Sequence, residues 1–350
     1  MAHKIGQFDK QQGTEQAWHG LTEVKELITL EDNWLTQWDL IELPLKYENG
    51  QNSGFSMLGC TDNEEIKIGY PYNPQTFSPF SNEDFLELVR ESISGADHEI
   101  SSVGSIRNRG RVFVSLKLKG MENLEAAGRK FSNYLNFGNG HDKSSVLWVN
   151  TSNTCQVCDN TFSFNLFDVD DGRKSNADDI SLKLRHTKNA KMRFPEISTL
   201  IDMAVGVQAK FKAEMDLLNK QSVSNKNMEK FTVGFLTRNM TEKEITKRKN
   251  LNGKVLSTRS ENVSNRIMEL FMNGKGNDGN DWSDAFSAFT DYYSHESSGN
   301  KIGREARMKQ YVSSEFGSGL KNKQDAYRFI TNEDKREKVI EWGEKVLQMN

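Results

Sequence analysis

The sequence predicts an α+β fold: an antiparallel sheet with flanking helices, followed by a helical C-terminal region. Three observations carry this. Between residues 81 and 155 a segment with helical spacing gives way to successive stretches of apolar–polar alternation. Beyond residue 188 the apolar spacing becomes helical throughout. All five prolines lie before residue 196, which leaves the C-terminal part free of helix breakers.

The elements follow in order. Residues 1–17 are polar and predict a loose arm. "AWHGLTEVKELITLEDNWLTQWDLIELPLKY" reads as a turn, a short helix and a strand. Thr29, three residues before Asp32, resembles a capping-box start for a helix bearing Trp34 and Leu35. Pro44 places the strand "WDLIELPLKY" at a sheet edge. "EEIKIGYPYNP" is a strand ended by proline. "SNEDFLELVRESI" is a helix: Ser81 caps it, acids fill its first turn, and Phe85, Leu88, Val89 and Ile93 share a face. "HEISSVGSI" and "RVFVSLKLKG" form a hairpin around the basic turn "RNRG". "KFSNYLNFGNG" and "SSVLWVNTSNT" add strands, and "CQVCDNTFSFNLF" is expected to return as a helix, giving an α-β-β-β-α core. A long amphipathic helix follows, carrying Ile197, Leu200, Ala204, Val207, Phe211, Met215 and Leu218. "MTEKEITKRKN", "SENVSNRIMELFM", "DWSDAFSAFTDYYSH" and "NEDKREKVIEWGEKVLQ" are further helices, and the Gly/Asn run 273–280 is a loop. The expected organisation is an arm (1–17), an α+β domain (18–187) and a helical region (188–350).

Composition narrows the function. With 27% charged and 10% aromatic residues the chain supports a folded core, and a net charge of -3 argues against wholesale coating of nucleic acid. Three cysteines (Cys60, Cys155, Cys158) make no disulfide framework, so a reducing cytoplasm is expected. The N-terminus has no apolar export region and no stretch is long enough to span a bilayer, so no membrane association is expected.

Several side-chain patterns suggest chemistry. Cys155 and Cys158, with His141 and His186, could in principle form a four-ligand zinc site. A single C-x-x-C knuckle argues for a buried structural cysteine instead, and no metal or cofactor is expected. His141–Asp142 suits acid–base work, but no nucleophile elbow, phosphate loop or H-E-x-x-H accompanies it. The acids Asp168, Asp170, Asp171, Asp178 and Asp179 keep no cation-loop spacing and read as a solvated loop. Positive charge clusters at "RNRGR" (107–111), "KLRHTKNAKMR" (183–193) and "KRKN", close to strands bearing Tyr134, Phe137 and Trp148. Arginines and lysines beside aromatics suit a groove that follows phosphates while bases stack.

Four segments resemble a known family. "WHGL" (Trp18, His19, Gly20), "NGHDKSS" (His141, Asp142, Ser144), "CDNT" (Cys158, Asn160, Thr161) and "LRHT" (Arg185, His186, Thr187) occur in the order found in the phage/plasmid-like family known as domain of unknown function 932. "DAFSAFTDYYSH" and "SSEFGSGLKNKQDAYRFI" are similar to its C-terminal helices. The chain departs from it with Thr22 and Lys143 where glycine is common, and Cys155 where arginine is. The resemblance implies a phage, prophage or plasmid origin, hence the cytoplasm of a bacterial host, but no activity.

The α-β-β-β-α order with a basic hairpin is also similar to single-strand annealing recombinases and double-stranded-RNA-binding modules, an analogy of fold alone. The leading expectation is a non-enzymatic, oligomeric nucleic-acid-binding protein that binds or anneals single-stranded DNA in replication or recombination. Arg107, Arg109, Arg111, Lys183, Arg185 and Lys188 would contact phosphates, and Tyr134, Phe137 and Trp148 would stack bases. The alternatives are a structural or host-takeover oligomer, as in a virion or anti-defence component, and a metal-dependent enzyme built on His141, Asp142 and His186. The motif residues Trp18, His141, Asp142, Asn160 and His186 are expected to converge.

Overall fold

A computed structural model describes residues 4–7, 29–94, 96–106, 108–118, 123–143, 146–157, 161–164, 183–184, 200–298 and 304–349. The fold is α+β, with antiparallel sheets and a helical C-terminal region. The chain forms two compact units that interleave in sequence. Unit 1 holds residues 1–123, 133–152 and 164–208; unit 2 holds 124–132, 153–163 and 209–350.

Unit 1 begins with β1 (Lys4–Gln7), within the stretch expected to be a loose arm; it pairs antiparallel with β5 (His98–Ile106). The short helix expected to start at Thr29 is a 3₁₀ turn, Trp34–Gln37, capped by Asn33, while Thr29 Oγ1 accepts from the Glu31 and Asp32 amides just before it. The Asn33 carboxamide accepts from the Leu35 amide while Thr36 Oγ1 reaches back, a closed capping box, and the extended Trp38 (φ -154, ψ 158) ends the turn. Strands β2 (Leu40–Lys46), β3 (Asn52–Cys60) and β4 (Asn63–Tyr72) make a three-stranded meander, with β2 at its edge as Pro44 requires. Helix α1 (Asn82–Ser92) starts at Ser81, whose hydroxyl accepts from the Asp84 amide.

The larger sheet continues with β6 (Arg111–Leu118), β7 (Asn123–Ala126), β8 (Arg129–Gly140), β9 (Leu147–Cys155), β10 (Thr161–Phe164) and β11 (Lys183–Leu184). Its order is β1-β5-β6-β8-β9-β10, with β7 on β8 and β11 on β9. Strand β10 corrects the helix expected over 155–167: within it Thr161, Phe162, Ser163 and Phe164 alternate at strand period. The β5–β6 hairpin turns through Asn108 and Arg109, both left-handed (φ 51 and 67), as a type I′ turn needs. The core of unit 1 packs Phe85, Leu88 and Val89 of α1 with Val112, Val114, Leu116, Leu135, Phe137, Leu147 and Val149 of the sheet.

Unit 2 contains α2 (Leu200–Leu218, from Ala209 onward), α3 (Asn225–Thr237), α4 (Glu242–Asn252), α5 (Thr258–Asn273), α6 (Trp282–Asp291), α7 (Arg304–Phe316), α8 (Ser318–Thr331) and α9 (Glu333–Gln348). Helix α3 was not anticipated. Its aromatic Phe231 and Phe235 pack on Phe289, and Phe231 also meets Trp282. Helices α3 and α9 meet through glycines: a Cβ on Gly234 would stand 2.0 Å from the Val339 carbonyl oxygen, and one on Gly343 1.8 Å from that of Lys230.

Candidate nucleic-acid interface

The two faces of the β6-β8-β9 ladder differ in kind. The core face is apolar and covered by α1. The opposite face carries Phe113, Ser115 and Lys117 from β6 and, by alternation, Tyr134, Asn136 and Gly138 from β8. Strand β9 adds Trp148, whose indole lies over Gly138 so closely that a Cβ there would be 2.2 Å from it. Gly138 is therefore a clearance for the indole. Asn150 and Ser152 follow along β9. Ser115 Oγ donates to Asn136 Oδ1, and Asn136 Nδ2 donates to Asn150 Oδ1 and Ser152 Oγ, both at 2.9 Å. Lys117 Nζ sits 5.6 Å from the Tyr134 ring centroid. Tyr134 and Trp148 are half-buried, whereas the Asn/Ser network is buried.

This arrangement has recognisable chemical capacity. Tyr134 and Gly138 are four strand residues apart, so the two aromatics stand about 14 Å apart with the amide pair between them. Half-buried aromatic rings on a sheet face can stack bases, while the amides between these two are buried and spent on one another. The side chain of Asn150 accepts from Asn136 but donates to no described residue.

A second cluster in unit 1 surrounds His141. Strand β8 ends in a turn whose His141 and Asp142 amides both donate to the Gly110 carbonyl, at 2.8 and 3.1 Å. Lys143 is left-handed there (φ 62), at a position where the family resemblance implied glycine. Gly69 of β4 permits a close approach: a Cβ on it would lie 2.8 Å from the Asp142 Cα. His141 is 1% exposed. Its Nδ1 lies 3.1 Å from the Arg109 carbonyl, and because a carbonyl only accepts, Nδ1 carries the proton and Nε2 is bare. Burial pushes this imidazole down to about 4, against weaker opposing contributions from the Arg109 carbonyl, Asp39 and Asp142, so it is neutral at pH 7. The Trp38 indole meets the ring edge-on at 6.0 Å.

Arg109 belongs to this cluster too. Its guanidinium makes a bidentate pair with Asp62 (2.5 and 2.9 Å) and stacks on Trp38 at 4.6 Å and Trp34 at 5.3 Å. Burial pushes the neighbouring Cys60 thiol up, the Arg109 contact opposing. Asp39 anchors the adjoining helix, accepting from the Asn82 amide at 2.9 Å, and Asn82 Nδ2 returns hydrogen bonds to the Leu35 and Trp38 carbonyls. These contacts are those of a packed polar corner. Among the described residues no group of three or more His, Cys, Asp or Glu side chains could hold a metal ion.

The sequence-derived site residues are thus sorted. Tyr134 and Trp148 share the polar face. Phe137 does not: it alternates onto the core face and is 0% exposed, so it offers no ring to a base. Arg109, expected on phosphate, is 8% exposed and engaged by Asp62 and the two indoles. Arg111 pairs in register with Ile106 and Gly140, and Lys183 is the β11 partner of Trp148. Thr161 begins β10. Trp18, His19, Gly20, Arg107, Ser144, Cys158, Asn160, Arg185, His186, Thr187 and Lys188 lie outside the described residues, as does the proposed convergence of the motifs.

Sequence reasoning missed Asn136, Asn150, Ser115 and Lys117 on the polar face. A signal was present: alternate positions of β8 and β9 carry amides and hydroxyls where a two-sided buried sheet would carry Val or Ile. It also missed a buried cluster in unit 2. There Lys323 Nζ, 0% exposed, donates to Ser314 Oγ at 2.8 Å and Glu315 Oε1 at 3.1 Å. Nearby, α6 runs into a π-helical turn, Tyr292–Glu296, whose Tyr293 carbonyl accepts from Gln310 Nε2.

A family model described as "Domain of unknown function (DUF932)" matches residues 73–326, well over half of the chain; the match spans the polar face, Arg109 and His141, while Trp38, Asp39 and Asp62 of the corner precede it. The chain belongs to this family. No curated protein and no solved structure matches it.

Proposed function

We propose that this DUF932 chain is a phage- or plasmid-encoded nucleic-acid-binding protein, oligomeric and working in the host cytoplasm, that binds or anneals single-stranded DNA. The reading rests on one observation: the second face of the sheet carries a hydrogen-bonded Ser115–Asn136–Asn150–Ser152 network with Tyr134 and Trp148 at its ends and Lys117 beside it. Aromatic rings on a sheet face are what single-stranded bases stack on, and Tyr134 and Trp148 are the half-buried rings of this one. No helix among the described residues is long and apolar enough to cross a membrane.

Fluorescence titration of labelled single-stranded DNA with Trp148→Ala tests the assignment. Loss of a stacking platform costs about 1–3 kcal/mol of binding with an unchanged salt slope. Unaltered affinity in a folded Trp148→Ala protein would remove this face from the interface.

A further inference from the structure

We propose that the outer face of the β2-β3-β4 meander packs against the same face of a second copy of this chain; this gives the oligomeric part of the reading above a surface, and it stands on unit 1 alone. One face of the meander is spent on the core: Leu58 and Cys60 of β3 and Ile68 and Tyr72 of β4 are buried there with α1. An antiparallel sheet covered on one side normally turns polar side chains to water on the other. Here the outer positions are Ile41, Leu43 and Leu45 on β2 and Phe55, Met57 and Gly59 on β3. Phe55 is 48% exposed, and Tyr47, which continues the alternation past β2, is 59% exposed. A contiguous apolar face of this kind marks an interaction site.

The edges of the meander are closed to an added strand. Pro44 removes a donor from β2, whose register also shifts there, and β4 bulges beside Gly69 (φ 67). The occupant therefore lies on the face, and the face is complementary to itself. Ile41 and Leu43 lean over Gly59, with Leu43 Cδ1 2.8 Å from where a Cβ would stand, so that end is low. Phe55, about 13 Å away along β3, stands up at the other end. Leu43 and Met57 pair in register midway. Consider a two-fold axis lying between two such sheets, across the strands at Leu43 and Met57. It sets each Phe55 ring over the Gly59 of the other copy and each Ile41 against Leu45, while Leu43 and Met57 meet their own counterparts. Sheets packed face to face lie about 10 Å apart with strands within about 30° of each other, which this axis allows. Lys67, the register partner of Gly59, is exposed on the edge strand β4, so its charge stays at the rim. The face would bury roughly 500 Å² per copy, about 1,000 Å² in all, the lower limit of a specific interface and suited to a micromolar dimer.

The test is sedimentation velocity of the full-length chain from about 1 to 100 μM, a range that brackets such a dimer. Wild type should pass from monomer to dimer across it. Phe55→Ser should raise the dissociation constant by about 10–100-fold. Leu251→Ser, at a residue 72% exposed on α4, should leave it unchanged. Met57→Lys and Met57→Glu test the axis, because it makes position 57 face itself. Each variant alone should be monomeric, and their mixture should recover the dimer. Circular dichroism checks that every variant is folded, and Phe55→Ser carries the test where a Met57 variant is not. Wild type that stays monomeric throughout, a dimer indifferent to Phe55→Ser, or equal weakening by Leu251→Ser would each overturn the proposal. So would a mixture of folded Met57 variants that stays monomeric. A monomer that still binds single-stranded DNA would leave the nucleic-acid reading intact, and a dimer that binds none would leave this one.

Discussion

Replacing Arg109 separates a structural corner from a phosphate-binding hairpin. Alanine at this position removes a bidentate pair to Asp62, a stack on Trp38 and a stack on Trp34. Charged hydrogen bonds contribute roughly 1.5–3 kcal/mol, and the low end applies because the Asp62 side chain is 36% exposed and keeps part of its hydration. The cation–π contact adds about 1 kcal/mol at a desolvated site. Arg109→Ala should therefore lower unfolding stability by about 2.5 kcal/mol. Arg109→Gly should lose the same contacts but relieve the left-handed backbone at φ 67, recovering about 1 kcal/mol. Urea unfolding of the two variants with wild type gives both numbers. A loss within about 0.5 kcal/mol, usual for an exposed turn, would refute the reasoning. So would a glycine variant no more stable than the alanine one.

Two further predictions follow from buried groups. His141 has its folded value near 4, below the unfolded value of 6.5, so the unfolded chain binds the extra proton between those limits. Stability should then be full above pH 6.5 and fall by about 3 kcal/mol as pH drops towards 4; a stability–pH profile of His141→Gln should lack that descent, and an equally steep profile would contradict it. Gly343→Ala should destabilise unit 2 by about 2 kcal/mol despite the better helix propensity of alanine, because its Cβ meets the Lys230 carbonyl. A thermal melt showing a gain would mean that α3 and α9 can part cheaply.

Much of the architecture was legible because burial imposes a period. Helix α1 shows it in Ser81, Phe85, Leu88, Val89 and Ile93, and the β5–β6 hairpin shows it in two alternating runs around "RNRG". What escaped depends on contacts remote in sequence. Residues 155–167 have apolar content suited to either helix or strand, and only the sheet decided for β10. Arg109 looked like a solvent-facing turn cation, because nothing local announces that Asp62 and Trp38, dozens of residues away, will receive it. Phe137 was assigned to the interface by composition; parity places it one residue off, on the α1 side. Tyr134 and Trp148 were readable as a pair, whereas the Asn136–Asn150 bridge between them needs the strand register.

The central claim is that the chain binds single strands, and an anisotropy titration of wild-type protein with a labelled single-stranded oligonucleotide at low and high salt tests it most directly. Saturable binding that weakens with salt, with competition by unlabelled single strand exceeding that by duplex, is the expected result. Absence of binding even at low salt would contradict the account.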